Sequence, residues 1–173
     1  ILYDTSGRKV RETTVAGGVT HGVTQYSYDV RNRPVCTARR MNPAVFGSLP
    51  ADACALGTSG AFGPDRITRN VYDEAGQLTI VQRAYGTSLQ QNYATYSYSN
   101  NGRRLSVTDA NGNRSALVHD GLDRQSHLYF PSQTVAGQTS ATDYEQYGYD
   151  ANGNRTSLRK RDGRTISYTH APL

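Results

Sequence analysis

Apolar and polar positions alternate along this chain in short runs that never extend far. Leu78-Thr79-Ile80-Val81, Leu105-Ser106-Val107-Thr108 and Thr165-Ile166-Ser167-Tyr168 are rich in β-branched and aromatic residues, as short strands are. Tyrosines stand two residues apart at Tyr26/Tyr28, Tyr96/Tyr98 and Tyr147/Tyr149, which places both rings of a pair on one strand face. Rings stacked from repeat to repeat would form a ladder along a sheet, and cross-strand packing explains such tyrosines better than ligand stacking.

The runs are punctuated by a recurring turn, Tyr-Asp-x-x-Gly-Arg. Its copies start at Tyr3-Asp4, Tyr28-Asp29, Tyr72-Asp73, Tyr98-Ser99, His119-Asp120 and Tyr149-Asp150, at intervals of 25, 44, 26, 21 and 30 residues. The fifth position is Gly7, Asn32, Gly76, Gly102, Asp123 and Gly153, the three residue types that best tolerate positive φ. Asp at the start of a type I turn and a left-handed residue at its end predict a hairpin with a bulge. Tyr-Asp then closes one strand and the sixth residue, as in Arg8, opens the next. Second turn signals follow at Asp109-Ala110-Asn111-Gly112-Asn113 and Asp162-Gly163-Arg164. The expected fold is all-β: tandem antiparallel hairpins, about two strands per repeat, in a single array over 1–173. A repeat of this period is an array whose function lies in an assembled surface rather than in one pocket.

Composition agrees with an extended sheet. Only 36% of the residues are hydrophobic, and the aromatic set is 13 Tyr and 3 Phe with no Trp, thin for a single compact core but adequate for faces covered by rings and arginine stems. Such a sheet leaves edges, and edge-to-edge association of copies is expected. Neither end resembles a cap, so the array is expected to be a piece of a longer one. No apolar run is long enough for a membrane span. The net charge of +5 comes mostly from arginines at or just after the signature position, Arg8, Arg11, Arg33, Arg103, Arg104, Arg114, Arg124 and Arg155. Charge distributed with the repeat argues for pairing with turn aspartates, of the same or the next repeat, over binding a nucleic acid or acidic polysaccharide.

The 44-residue interval holds an insertion, 36–69, shifted toward Ala, Pro and Gly and carrying both cysteines, Cys36 and Cys54. Asn42-Pro43-Ala44 reads as an N-cap with Pro at the first helical position, and Pro50-Ala51-Asp52-Ala53 as a second single turn. The expectation is a loop standing off the sheet, its ends pinned by a Cys36–Cys54 disulfide, with two free thiols as the alternative. Its tail, Gly57 to Pro64, lacks the Gly-Lys-Ser/Thr ending of a phosphate loop and reads as a linker.

No catalytic, metal or cofactor set is expected. His21, His119, His127 and His170 are scattered, and His119 takes a signature tyrosine position. The segments from Asp109 and Asp150 resemble half a calcium loop. At its sixth and twelfth positions stand Arg114 and Asp120 in one and Arg155 and Arg161 in the other, where Gly and Glu are required. Asn113-Arg114-Ser115 and Asn154-Arg155-Thr156 fit the glycosylation triplet but coincide with turns.

The six copies resemble the RHS, or YD, repeat, over essentially the whole chain apart from the insertion. That resemblance implies a curved, spiralling hairpin sheet that forms part of a hollow shell in large bacterial secreted or cell-surface proteins, among them polymorphic toxins. It implies a non-enzymatic segment that encloses or scaffolds a C-terminal cargo or toxin domain, with the rest of the shell as its partner. Only structural residues carry over: the Tyr-Asp pairs, the turn Gly, Asn or Asp, and the Arg that follows. Ser99, His119 and Asp123 depart from the pattern, and nothing here matches the family's self-cleaving aspartate segment. The alternative reading is a module that binds cell-surface carbohydrate through exposed Tyr and Arg.

Overall fold

A computed structural model describes residues 1–171. It is all-β and antiparallel, with thirteen strands: β1 (Leu2–Tyr3), β2 (Lys9–Ala16), β3 (Val19–Tyr28), β4 (Pro34–Arg40), β5 (Arg66–Tyr72), β6 (Leu78–Arg83), β7 (Gln91–Tyr98), β8 (Arg104–Asp109), β9 (Arg114–His119), β10 (Gln125–Pro131), β11 (Thr139–Tyr149), β12 (Arg155–Arg159) and β13 (Thr165–Ser167). Two compact units divide the chain, Ile1–Tyr93 and a second from Ala94 onward. Within each, strand order is chain order, the arrangement expected when each strand folds back on the one before it. Among the described residues no helix is long and apolar enough to cross a membrane.

In the first unit the signature turns join β1 to β2, β3 to β4 and β5 to β6. In the second they join β7 to β8, β9 to β10 and β11 to β12. Alternate connections of a meander lie at the same ends of the strands, so each unit carries its signatures along one border and its variable loops along the other. The pairing register shifts beside Tyr3, Tyr28, Tyr72, Tyr98 and Tyr149. This is the bulge that a type I turn with a left-handed residue imposes. Asn32 and Asp123 adopt φ of 63° and 62°, and Gly7, Gly76, Gly102 and Gly153 lie between 75° and 86°.

The insertion departs from expectation. Residues 36–40 and 66–69 are strand, because β4 pairs with β5 from Cys36↔Arg69 to Arg39↔Arg66. The excursion proper is therefore 41–65, and it does not stand off the sheet. Cys36, Ala38 and Arg40 alternate along β4 as its buried face, and Ala53 of the loop packs on them with Ile67. The Cys36–Cys54 bond ties β4 to the middle of the loop rather than joining the loop's ends. Pro43–Val45 forms a 3₁₀ turn, capped by Asn42 Oδ1 accepting from Ala44 N. Around Asp52 there is a single turn closed by Ala55 N donating to Asp52 O. A sheet this poor in large apolar side chains gains its best-packed core where the loop covers it.

Candidate functional site: clasps between repeats

The signature builds a local unit first. Asp4 Oδ1 accepts from Ser6 N and Arg8 N, both at 2.9 Å, and Oδ2 accepts from Arg8 Nε at 2.7 Å. Asp29 repeats this with Arg31 N, Arg33 N and Arg33 Nε, the last at 2.6 Å. Asp120 does so with Leu122 N, Arg124 N and Arg124 Nε, the last at 2.8 Å. The main-chain N–H of Arg8 and that of Arg124 do most to hold Asp4 and Asp120 below the ordinary carboxylate range, and the guanidinium adds to it. At Asp29 burial pushes upward, and Arg33's N–H and side chain more than offset it. Where the last residue is Asn the same frame persists: Asn113 and Asn154 donate Nδ2 to Asp109 and Asp150. Both glycosylation-triplet asparagines are thus held within turns. Among the described residues eight turns close by the same pair of main-chain bonds, including one that starts at Lys160, two residues before the Asp162 signal.

The local unit then reaches the next repeat. The Arg8 guanidinium lies over the Tyr28 ring at 5.0 Å, Arg33 over Tyr72 at 4.5 Å and Arg124 over Tyr149 at 4.5 Å. Each of these tyrosines also donates its hydroxyl to the carbonyl just after the preceding repeat's arginine. Tyr28 bonds Lys9 O at 2.9 Å, Tyr72 bonds Pro34 O at 2.9 Å and Tyr149 bonds Gln125 O at 2.8 Å. The arginine forks complete the clasp: Arg8 Nη1 reaches Asn32 Oδ1 at 2.7 Å, and Arg124 Nη1 reaches Asp150 O at 3.1 Å. Aspartate orients arginine, arginine covers tyrosine, and tyrosine bonds back to the main chain beside that arginine. A planar fork can do all of this where a lysine ammonium could not.

This corrects two expectations. The signature tyrosines are not a ring-on-ring ladder. Ring-on-ring contacts join His127, Tyr129 and Tyr144, while the signature rings of Tyr28, Tyr72 and Tyr149 lie against guanidinium groups. Nor do all the surplus arginines pair with turn aspartates. Arg11 donates to Phe46 O, and Arg104 and Arg155 lie over Tyr96 and Tyr147 at 5.8 and 4.6 Å. Burial first, and then the Glu145 carboxylate that accepts its hydroxyl, pushes the Tyr147 phenol up to about 12.

Besides the copy at Tyr149, which ends in Asn154, three signature copies differ. Gln77 replaces Arg, and Asp73 keeps its bond to Gln77 N at 2.8 Å. At Tyr98-Ser99 the hydroxyl of Ser99 takes the carboxylate's place, accepting from Arg103 N at 3.0 Å. Arg103 reaches forward instead to Asp123, 3.5 Å away. His119 stands where the next tyrosine would be.

Two elements take their form only from the fold: a further copy beginning at Tyr168, where the sequence leads another to be expected, and an anchor beneath the insertion. His170 Nε2 donates to Arg155 O at 2.8 Å, the same bond to the residue after the signature that Tyr28, Tyr72 and Tyr149 make. Tyr168 and His170 therefore occupy the two ring positions of a further copy, and the Tyr-x-His spacing was the available signal. The second is a buried ion pair that anchors the insertion. Arg40 Nη1 meets Asp65 Oδ2 at 2.7 Å with side chains 0% and 4% exposed. Arg40 also donates to Gln25 Oε1, Ala55 O and Asp52 O, and Asp65 accepts from Met41 N and Gly57 N. Gly57 thus belongs to the anchor and not to a free linker. Arg40's place in the period-two row Cys36, Ala38, Arg40 marked it; Asp65, isolated beside a glycine-rich tail, carried no mark.

No family model matches this chain, and no curated protein is similar to it. Among solved structures it is similar to the crystal structure of TcdB2-TccC3-TEV, at 18% identity and a TM-score of 0.49, over 87% of this chain and 9% of that one. The crystal structures of TcdB2-TccC3, and of TcdB2-TccC3 without the hypervariable C-terminal region, are each 21% identical with a TM-score of 0.49, over 88% of this chain and 8% of theirs. The chain therefore spans less than a tenth of the length of these solved chains. What it does has to be argued from its own residues.

Proposed function

We propose that this chain is a non-enzymatic wall segment of a larger RHS-type hairpin array, and that the array encloses or scaffolds a cargo or toxin domain. The observation that carries this is the clasp. A bond set that links one repeat to the next by the same atoms each time can be propagated along an array of any length, as a wall requires. The signature's charged groups are committed to turns and to neighbouring repeats, which supports a structural role over a catalytic one. The rings of Tyr28, Tyr72 and Tyr149 are covered by the chain's own guanidinium groups, which speaks against their serving as a carbohydrate platform. A wall of this kind works by containment: it keeps solvent and proteases from a cargo that need not be stably folded. The array's setting is a secreted or bacterial cell-surface protein.

The test is the intact mass and end sequences of the native polypeptide that carries this segment, in cell and secreted fractions. A polypeptide several times this size, with a C-terminal piece that is cleaved yet stays associated, is expected. A short native chain with nothing associated would overturn the proposal.

A further inference from the structure

In the first unit, the border that carries the variable loops holds positive charge without a counter-charge. β4 pairs with β5 there so that Arg39 stands directly opposite Arg66, which puts both side chains on one sheet face. Both are exposed, and no carboxylate among the described residues forms an ion pair with either. Like charges directly opposite each other destabilise a sheet. Arg83, the exposed last residue of β6, adds a further guanidinium, which lies over the Tyr93 ring at 3.5 Å. Asp65 also reaches this border, but its carboxylate is buried against Arg40.

Apolar surface accompanies the charge. A turn closed by Gly63 N donating to Gly60 O at 3.0 Å carries Phe62. Gly60 lies so close on Asn42 that a Cβ there would come within 2.7 Å of its side chain. The turn is thereby seated on the loop, yet Phe62 stays 67% exposed. Its ring lines two grooves, one of about 430 Å³ with Arg39, Val19 and Pro43, the other of about 420 Å³ with Arg66, Arg83 and Leu89, the last 76% exposed.

Charge and apolar surface together select the occupant. Two arginines at cross-strand distance can share one carboxylate, for which their planar forks are suited. Exposed apolar side chains grouped beside them mark a surface for another protein. A nucleic acid fits less well. It needs positive charge strung along a backbone track, whereas here the charge is gathered at the ends of β4, β5 and β6 with aliphatic Val19 and Leu89 beside it. A second copy of this border would bring like charge to like. We infer that this border binds an acidic segment of another polypeptide, with a carboxylate between Arg39 and Arg66 and a neighbouring apolar side chain against Phe62 and Leu89. The segment supplies the counter-charge that the fold leaves out, so binding relieves a repulsion as well as covering apolar surface. The inference stands whether or not the array encloses a cargo.

The probe is the end-capped peptide Glu-Leu-Glu-Leu-Glu, titrated into the disulfide-intact chain at an ionic strength of about 20 mM, where surface charges are little screened. The Phe62 ring and Leu89 methyl NMR signals are followed. Saturable shifts of both are expected, with a Kd on the order of a millimolar that weakens severalfold at about 150 mM salt. Gln-Leu-Gln-Leu-Gln should not bind, and Glu-Ser-Glu-Ser-Glu should bind about fivefold more weakly. Arg39→Gln with Arg66→Gln should abolish binding and leave the unfolding midpoint unchanged or higher, since a repulsion is removed. No shift up to about ten times the expected Kd would overturn the inference. Equal affinity for either control peptide, tighter binding of oligothymidylate than of the acidic peptide, or unchanged binding in the double variant would do so as well. A midpoint lowered in the double variant would assign the arginines to the fold, and so overturn it too.

Discussion

Asp65→Ala should unfasten the insertion, and the structure sets the size of the effect. The substitution leaves the Arg40 guanidinium, whose side chain is 0% exposed, without its counter-charge. Removing one partner of a buried ion pair costs about 3–5 kcal/mol. It also strips the acceptor from Met41 N and Gly57 N, each worth about 1–3 kcal/mol if it stays buried. Gln25 Oε1, Ala55 O and Asp52 O still hold Arg40, and water entering the loosened loop caps the total. A loss of about 4 kcal/mol from the first unit is expected, a large share of the roughly 5–15 kcal/mol that stabilises a typical domain. Asp65→Asn preserves an acceptor but not the charge, and should cost about 2–3 kcal/mol. Arg40→Met with Asp65→Ala should cost less than the sum of the single changes, by about 2 kcal/mol. The assay is urea unfolding with the disulfide intact, followed by tyrosine fluorescence, since the chain has no tryptophan. Hydrogen exchange at Met41 and Gly57 localises the effect. An Asp65→Ala loss below about 1 kcal/mol, with both amides still protected, would refute the claim that this pair anchors the loop.

Arg33→Lys keeps the charge but loses the Nε bond to Asp29 and the stack on Tyr72. Chemical denaturation should show a loss of about 1 kcal/mol, while Arg164→Lys, at a side chain 87% exposed, should be silent. Cys36→Ser with Cys54→Ser removes a link between residues 18 apart and should cost about 3 kcal/mol, with protease cuts appearing first within 41–65. Gly153→Ala, at φ +85°, should cost about 1 kcal/mol by thermal melting, because the left-handed turn geometry persists with a Cβ added. The turn aspartates give a sign for pH. Asp4, Asp29 and Asp120 are held below the ordinary 3.8 when folded. The folded state therefore releases their protons more readily, and their contribution is complete above that value. It is lost as pH falls below 3.8 toward their folded values. Melting curves should be flat from neutrality down to about pH 5 and drop below about pH 4.

The parts of this fold that depend on neighbours in sequence were readable; those that depend on neighbours in space were not. The Asp-x-x-Gly-Arg turn is closed within five residues, so its hydrogen bonds, its bulge and the positive φ at Asn32 and Asp123 follow from residue types alone. The clasp joins Arg8 to Tyr28, Arg33 to Tyr72 and Arg124 to Tyr149. Both partners carried the repeat pattern, yet which ring meets which guanidinium depends on strand register. The same pattern that suggested stacked tyrosines is met equally well by alternating rings and forks. The insertion was misplaced for a related reason. Its Ala, Pro and Gly content marks irregular backbone, but only the folded sheet shows that Ala53 lands on Ile67 and Asp65 on Arg40. His170 was visible as a residue and not as a clasp, since its partner is the main-chain carbonyl of Arg155.

Repeat-to-repeat clasps that make this chain a wall should shield whatever the wall encloses. This shielding is tested most directly by protease challenge of the full polypeptide carrying the segment, intact and with Arg8, Arg33 and Arg124 all changed to Ala. The region following the array should survive in the intact protein and be cut rapidly once the clasps are broken, with the hairpins still folded by circular dichroism. Equal rates of cleavage in the two proteins, or no protected region at all, would contradict it.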